Sequence, residues 1–259
     1  MRIPPIRVLV AALTLLGTSV TPLSAAELRV YSGGAPQETL KLLAPEFEKA
    51  TNRPVAFTFA VVGAIQQRLE AGEKADVVLL PVPLMNALEA AGKIRPGSRS
   101  LLARVGIAVV VRAEAPKPDI SSPESLRATL LQARSITHAD PQATPGGRHI
   151  AALLKQWDIT DTPQRRITPK SAISGGAELI ANGDVDIGLY LLSEVLTVKD
   201  VAVAGMLPPA LQNYIVYAGA VLADSASPDA ALEFIKFLAD PSKQAQWKTT
   251  GFESIGKTN

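Results

Sequence analysis

The feature that most constrains this chain is an alternation. Short runs rich in Val, Ile and Ala fall at 27–30, 54–60, 75–81, 105–112, 133–140, 185–192, 199–207 and 213–222. Between most of them lie segments with apolar residues at helical spacing: 36–51, 63–72, 83–91, 123–132, 146–157, 174–182 and 228–239. A strand that leaves through a helix and returns as a strand pairs most readily with its neighbour in parallel. The expected fold class is therefore α/β, with mostly parallel sheets flanked by helices. No Gly/Ser linker, charge block or tandem repeat divides the chain. The runs at 105–112 and 214–222 are expected to cross between two lobes, one built from 27–107 plus 218–259 and the other from 108–217.

The first 26 residues follow another logic. Arg2 and Arg7 precede an apolar run from Val8 to Leu16, and the segment ends in small residues, with Ser24 and Ala26 at the −3 and −1 positions of a cleavage site. That run is too short to span a bilayer, so the segment reads as an export signal and not as a membrane anchor. The signal holds two of the 26 basic residues and none of the 24 acidic ones. Its removal leaves a charge-balanced chain with no basic stripe, which argues against nucleic acid as a partner. The sequence has no Cys, so disulfides and a lipidated Cys are excluded. The expected location is the periplasm, and the expected state a monomer.

Small residues precede four of the helical segments: “SGGAP” (32–36), “VVGA” (61–64), “TPGGRH” (144–149) and “SAISGG” (171–176). Each puts free N–H groups and the positive end of a helix where an anion would be welcome. Glycine before a helix also simply makes a turn, so one such motif carries little. Four of them, two in each half, point to a cleft that closes on a small charged solute.

Several stretches carry a family resemblance: “LRVYSGGAPQETLKLLAPEFEKATN”, “QRLEAGEKADVVLLP”, “HADPQATPGGRH”, “LIANGDVDIGLYLLSE” and “SPDAALEFIKFLADPSKQAQWKTTGF”. Over 27–254 the chain resembles the type II periplasmic solute-binding proteins, and among them the molybdate-binding proteins of ABC importers. The resemblance implies two α/β lobes joined by crossing strands, a ligand cleft between them, no cofactor, and an ABC permease in the inner membrane as partner. It also implies a ligand site. Molybdate binders of this type use serine hydroxyls and backbone N–H groups at the first two helix starts, but this chain has Ala35 and Val62 at the matching places. The family's pocket tyrosine is displaced, with Tyr190 one position early and Leu191 in its place.

The remaining candidates are Ser32, the backbone of Gly33, Gly34 and Gly63, the turn Gly146–Gly147–Arg148, and Ile173 and Ser174 at the fourth turn. A tetrahedral oxyanion needs a closed shell of donors. The missing hydroxyls and the apolar Val61 and Val62 favour an anion with a carbon skeleton, a carboxylate-bearing organic acid gripped by Arg148. A solvated Arg148 on a helix's first turn is the rival reading.

One branch of the family holds an enzyme that interconverts trans- and cis-aconitate without a metal, and “SGG”, “APKPDIS”, “LSE” and “YAGA” resemble it. If this chain is such an isomerase, His149, Glu194 and Tyr190 are the candidate bases. His138, inside an apolar pattern, is expected to be structural, as are Trp157 and Trp247. Two His eleven positions apart give no zinc spacing, and neither a G-x-S-x-G elbow nor a phosphate-binding loop is present.

Overall fold

The structure, a computed structural model, describes residues 26–256; the expected export signal, apart from Ala26, lies outside them. In chain order the elements are β1 (Leu28–Gly33), α1 (Gln37–Thr51), β2 (Val55–Ala60), α2 (Val62–Glu70), β3 (Val77–Pro81), α3 (Val82–Ala90) and β4 (Ser100–Val105). They continue with β5 (Ile107–Arg112), α4 (Pro123–Gln132), β6 (Ser135–His138), α5 (Pro145–Gln156), β7 (Arg166–Pro169) and α6 (Gly176–Ala181). The last are β8 (Ile187–Leu191), α7 (Leu192–Val195), β9 (Val201–Met206), β10 (Ile215–Val221), α8 (Pro228–Ala239) and α9 (Gln244–Thr249).

Two five-stranded sheets result, ordered β2-β1-β3-β10-β4 and β7-β6-β8-β5-β9. In the first, β1 pairs in parallel with β2 and β3, while β10 runs against both β3 and β4. The second repeats the plan, with β6 parallel to β7 and β8 and with β5 running against β8 and β9. Each sheet is thus mixed, with one strand opposing the rest. The opposing strands, β5 and β10, are those that enter each sheet from the other lobe. Every residue of β3 and β8 is buried, as expected for strands covered on both faces. Helices supply that cover: α1 buries Leu40, Leu43 and Phe47, and α8 buries Ala231, Phe234, Ile235 and Leu238.

The long run at 105–112 is two strands, not one. The chain leaves the first sheet after Val105, turns at Gly106, and enters the second at Ile107. A β-carbon on Gly106 would stand 2.8 Å from Met206 Cε and 3.0 Å from Gln212 Nε2, so a side chain there would have to push both side-chain ends aside. The return passes through 207–214, and Ile215–Tyr217 already belong to the first sheet. Both crossings are stitched together by Gln212. Its Oε1 accepts from the Ile107 amide at 2.8 Å, and its Nε2 donates to the Ile107 carbonyl at 3.0 Å. Buried backbone groups at such a crossing need partners, and one side chain serves both.

Trp247 is fully buried, donates to the Leu238 carbonyl at 3.0 Å, and meets Phe252 edge-on at 4.9 Å. Trp157 packs half-buried against the main core. No helix among the described residues is long and apolar enough to cross a membrane.

Candidate functional site

The lobes meet along a cleft, and the turns after their strands form its walls. After β1 the chain must pass close beneath α2. A β-carbon on Gly33 would fall 2.5 Å from Val62 Cγ1, and one on Gly34 would fall 3.1 Å from Ile173 Cδ1 of the other lobe. Farther along, a β-carbon on Gly63 would lie 3.2 Å from the Ala143 carbonyl oxygen, again across the cleft. The lobes are therefore closed on one another, and glycine is what lets them approach.

Between them lies a narrow cavity of about 20 Å³, open on one side, so that in this closed form it holds little more than a water and a larger solute needs the lobes to part. The first sheet's side contributes Gly34, Val61, Val62, Pro81, Ile215 and Tyr217; Ile107 lies at the crossing. The second lobe contributes Ala139, Thr144, Pro145, Gly146, Ser171, Ile173, Leu189, Tyr190, Leu191 and Glu194. The walls are mainly apolar, with a few convergent polar groups, the usual make-up of a small-molecule site. Gly63 and Gly146 sit in the first turns of α2 and α5, where amides have no acceptor within the helix. A neighbouring hollow shares Val61 and Ser171 and is lined by Gly63, Lys170 and Ser174. Another shares Gly34, Ile173 and Glu194 and is lined by Glu38 and Glu178.

Glu194 stands out chemically. It lies in the first turn of α7, makes no hydrogen bond or ion pair with any described residue, and lines the central cavity. Its Oε1 would be 3.5 Å from a β-carbon on Gly34, so it reaches across to the first lobe. It is partly exposed, bordering both the cavity and the outer hollow, and the burial it does have pushes its pKa up to about 7. It is the single Asp, Glu, Lys or Arg among the lining residues.

The two cavity tyrosines differ. Tyr190 Oη donates to the Lys170 carbonyl at 2.9 Å and lies 2.7 Å from Thr137 Oγ1, so its hydroxyl is engaged within the second lobe. Burial raises its pKa, and it lines the cavity with its ring. Tyr217, on β10, has no hydrogen-bond partner among the described residues although only 2% of it is exposed. Burial, and next the charge of Glu194, raise its pKa well above the ordinary phenol range, so it stays protonated.

Of the residues the sequence nominated, Gly34, Val62, Gly146, Ile173, Tyr190 and Glu194 line this cavity. Gly63 and Ser174 line the adjoining hollow. The others are placed elsewhere. Ser32 is fully buried and donates to the Gly33 carbonyl at 2.9 Å, so its hydroxyl serves the turn. Gly33 lies beneath α2, and Ala35 packs in the first lobe's core. The Gly147 amide already donates to Thr144 Oγ1 at 3.0 Å, the N-cap of α5.

Arg148 is exposed and lines none of these cavities, because the turn of α5 points it outward. His149 Nε2 bonds the Leu211 carbonyl at 2.8 Å, which fastens α5 to the second crossing. His138 is 2% exposed and bonded to the Ala139 carbonyl; burial lowers its pKa. Among the described residues no three His, Cys, Asp or Glu gather closely enough to hold a metal ion. Sequence reasoning missed Tyr217, Thr144 and Ser171. The available signal for Tyr217 was a phenol inside the otherwise apolar run “YIVYAGAVL”.

Two mixed α/β lobes, two crossings and a cleft of convergent helix starts define a two-lobe solute-binding protein. The chain belongs to the family described as bacterial extracellular solute-binding protein, which it matches over residues 28–253. It is 30% identical over 256 residues to an aconitate isomerase of Pseudomonas sp, covering 94% of this chain and 95% of that protein. To the molybdate-binding protein ModA of Azotobacter vinelandii it is 24% identical over 233 residues, covering 88% and 90%. The solved structure of the Azotobacter vinelandii periplasmic molybdate-binding protein superposes with a TM-score of 0.74, at 23% identity, over 88% of this chain and 99% of that one. That likeness concerns the fold. The family implies a small solute as ligand and an ABC permease as partner.

Proposed function

We propose that this protein works in the periplasm, binds a small carboxylate-bearing organic acid between its lobes, and moves a proton within it, as in the interconversion of trans- and cis-aconitate. One observation carries the reading: Glu194, unpartnered and with its pKa raised to about 7, faces the central cavity. A carboxyl poised near neutrality is what a general base or acid requires, and such a group contributes roughly 10²–10⁴-fold to a proton transfer. The apolar walls suit a carbon skeleton. First-turn amides of α2 and α5, with Lys170 at the edge, suit its carboxylates. The 30% identity to an aconitate isomerase over nearly the whole of both chains supports the same reading.

Molybdate fits this cavity poorly. Ala35 and Val62 offer no hydroxyl, and that of Ser32 is turned into its own lobe. A second reading, delivery of an organic acid to a permease without chemistry, is favoured by the family match and by the closed two-lobe geometry.

A proton NMR time course of the mature protein with trans-aconitate in heavy water separates the two. Conversion to the cis isomer, abolished in Glu194→Gln, is the expected result. Saturable binding with no conversion would overturn the isomerase reading and leave the transport one.

A further inference from the structure

We infer that Tyr217 is a catalytic residue of the first lobe, its hydroxyl donating a hydrogen bond to the bound acid opposite Glu194. The inference rests on the isomerase reading above. Its physical basis is a contrast between two buried phenols in one cavity. Tyr190 is used up by the Lys170 carbonyl and Thr137. Tyr217 is equally buried, lines the same cavity and bonds to nothing described. Its hydroxyl is not sealed in protein: it opens onto the cavity, where a solute can take the place of water as its partner.

Its position is fixed. The Tyr217 ring meets Phe252 edge-on at 6.0 Å, and Phe252 meets the fully buried Trp247 edge-on at 4.9 Å. Beside the hydroxyl, Gly33 keeps the space open: a β-carbon there would be 3.4 Å from Tyr217 Oη. Burial and the charge of Glu194 both hold the phenol protonated, which suits a donor and rules out a base. The pair also spans the molecule, Tyr217 on β10 of one sheet and Glu194 on α7 beside the other. Only closed lobes place both at one solute.

The chemistry balances without a co-reactant. The Glu194 carboxylate takes a proton from the methylene carbon. The C–H pair becomes the new double bond, the old double-bond pair moves toward the adjacent carboxylate, and its oxygen gains the charge. The Tyr217 O–H bonds that oxygen and keeps its proton. Glu194 then returns the proton to the far carbon, the electrons flow back, and the double bond has shifted. A donor aimed at developing charge is worth roughly 10²–10³ in kcat.

The test compares wild type, Tyr217→Phe and the exposed control Tyr214→Phe with trans-aconitate, reading turnover by NMR and affinity by calorimetry. Thermal melting verifies each fold. The expected result is a kcat about 100-fold lower in Tyr217→Phe, KM within about threefold, and an unchanged control. If the phenylalanine variant folds poorly, 3-fluorotyrosine at position 217 keeps the ring and strengthens the donor, and its rate should change. A wild type that turns over and a folded Tyr217→Phe that matches it would overturn the inference alone; so would an unchanged rate with fluorotyrosine. A wild type that binds without turnover would overturn the catalytic role together with the isomerase reading. Affinity lost at least tenfold in Tyr217→Phe would still uphold the donor bond, and unchanged affinity would overturn that too. Neither turnover nor binding would overturn both.

Discussion

Gly63 and Ala143 touch across the cleft: a β-carbon on the glycine would stand 3.2 Å from the alanine's carbonyl oxygen. The contact joins the start of α2 to the loop before α5, so closure depends on position 63 being small. Gly63→Val is expected to hold the lobes apart. Solution scattering should show a larger radius of gyration with solute present, and calorimetry an affinity at least tenfold weaker. Because Gly63 has ordinary helical backbone rather than a positive φ, the thermal midpoint should change little.

Glu194 sets the pH dependence. Its pKa is raised by burial to about 7, against about 4.3 for an unfolded glutamate. On the proposed isomerase reading Glu194 is the base and must be ionised, so turnover should rise with pH through about 7 and level off above. Stability runs the other way. The unfolded chain gives up this proton first, so the contribution is complete below about pH 4 and is lost as pH rises through about 7. Glu194→Gln should therefore melt higher than wild type at pH 8 and alike at pH 4, in scans by circular dichroism.

Asp76 carries the opposite sign. It is 1% exposed and accepts from the Arg29 amide at 3.0 Å, Ser225 Oγ at 2.8 Å and the Ala226 amide at 3.1 Å. Burial alone would push its pKa up, but these bonds and the Arg29 charge outweigh it, and the pKa is lowered. Its stabilisation is present above the unfolded value near about 3.9 and lost as pH falls through the lower folded value. Asp76→Asn should cost about 2 kcal/mol or more at pH 7 in urea denaturation. The difference should shrink in acid.

Gly176 and Tyr190 are locked together. A β-carbon on Gly176 would lie 2.2 Å from the Lys170 carbonyl oxygen and 2.4 Å from Tyr190 Oη. Gly176→Ala must break the bond between those two groups, and the stability loss should be at least about 2 kcal/mol by denaturant titration. Tyr190→Phe, which removes only the hydroxyl, should lose about 1–3 kcal/mol.

Much of the fold was legible because strand and helix periods alternate cleanly; α1, α4 and α8 fall within a residue of their expected spans. The break at Gly106 was not, since β4 and β5 are both apolar and what divides them is contact with Met206 and Gln212, distant in sequence. β7 was missed as a short edge strand, RITP, with no buried residue to mark it. At the site, backbone turns were readable from composition, and Gly34, Val62 and Gly146, which lie on them, line the cavity. Arg148 was misleading because helix phase, not residue type, decides which way it points. Nothing in the sequence says that Tyr190 has Lys170 and Thr137 beside its hydroxyl while Tyr217 has no such partner; only the fold separates their surroundings.

The Gln212 amide, gripping both polar groups of Ile107, turns two separate crossings into one joint. A pair of independent tethers would let the lobes twist, shear and rock. Clamping the two strands to each other restrains those motions, so opening and closing is the movement that a distance reporter across the cleft should chiefly register.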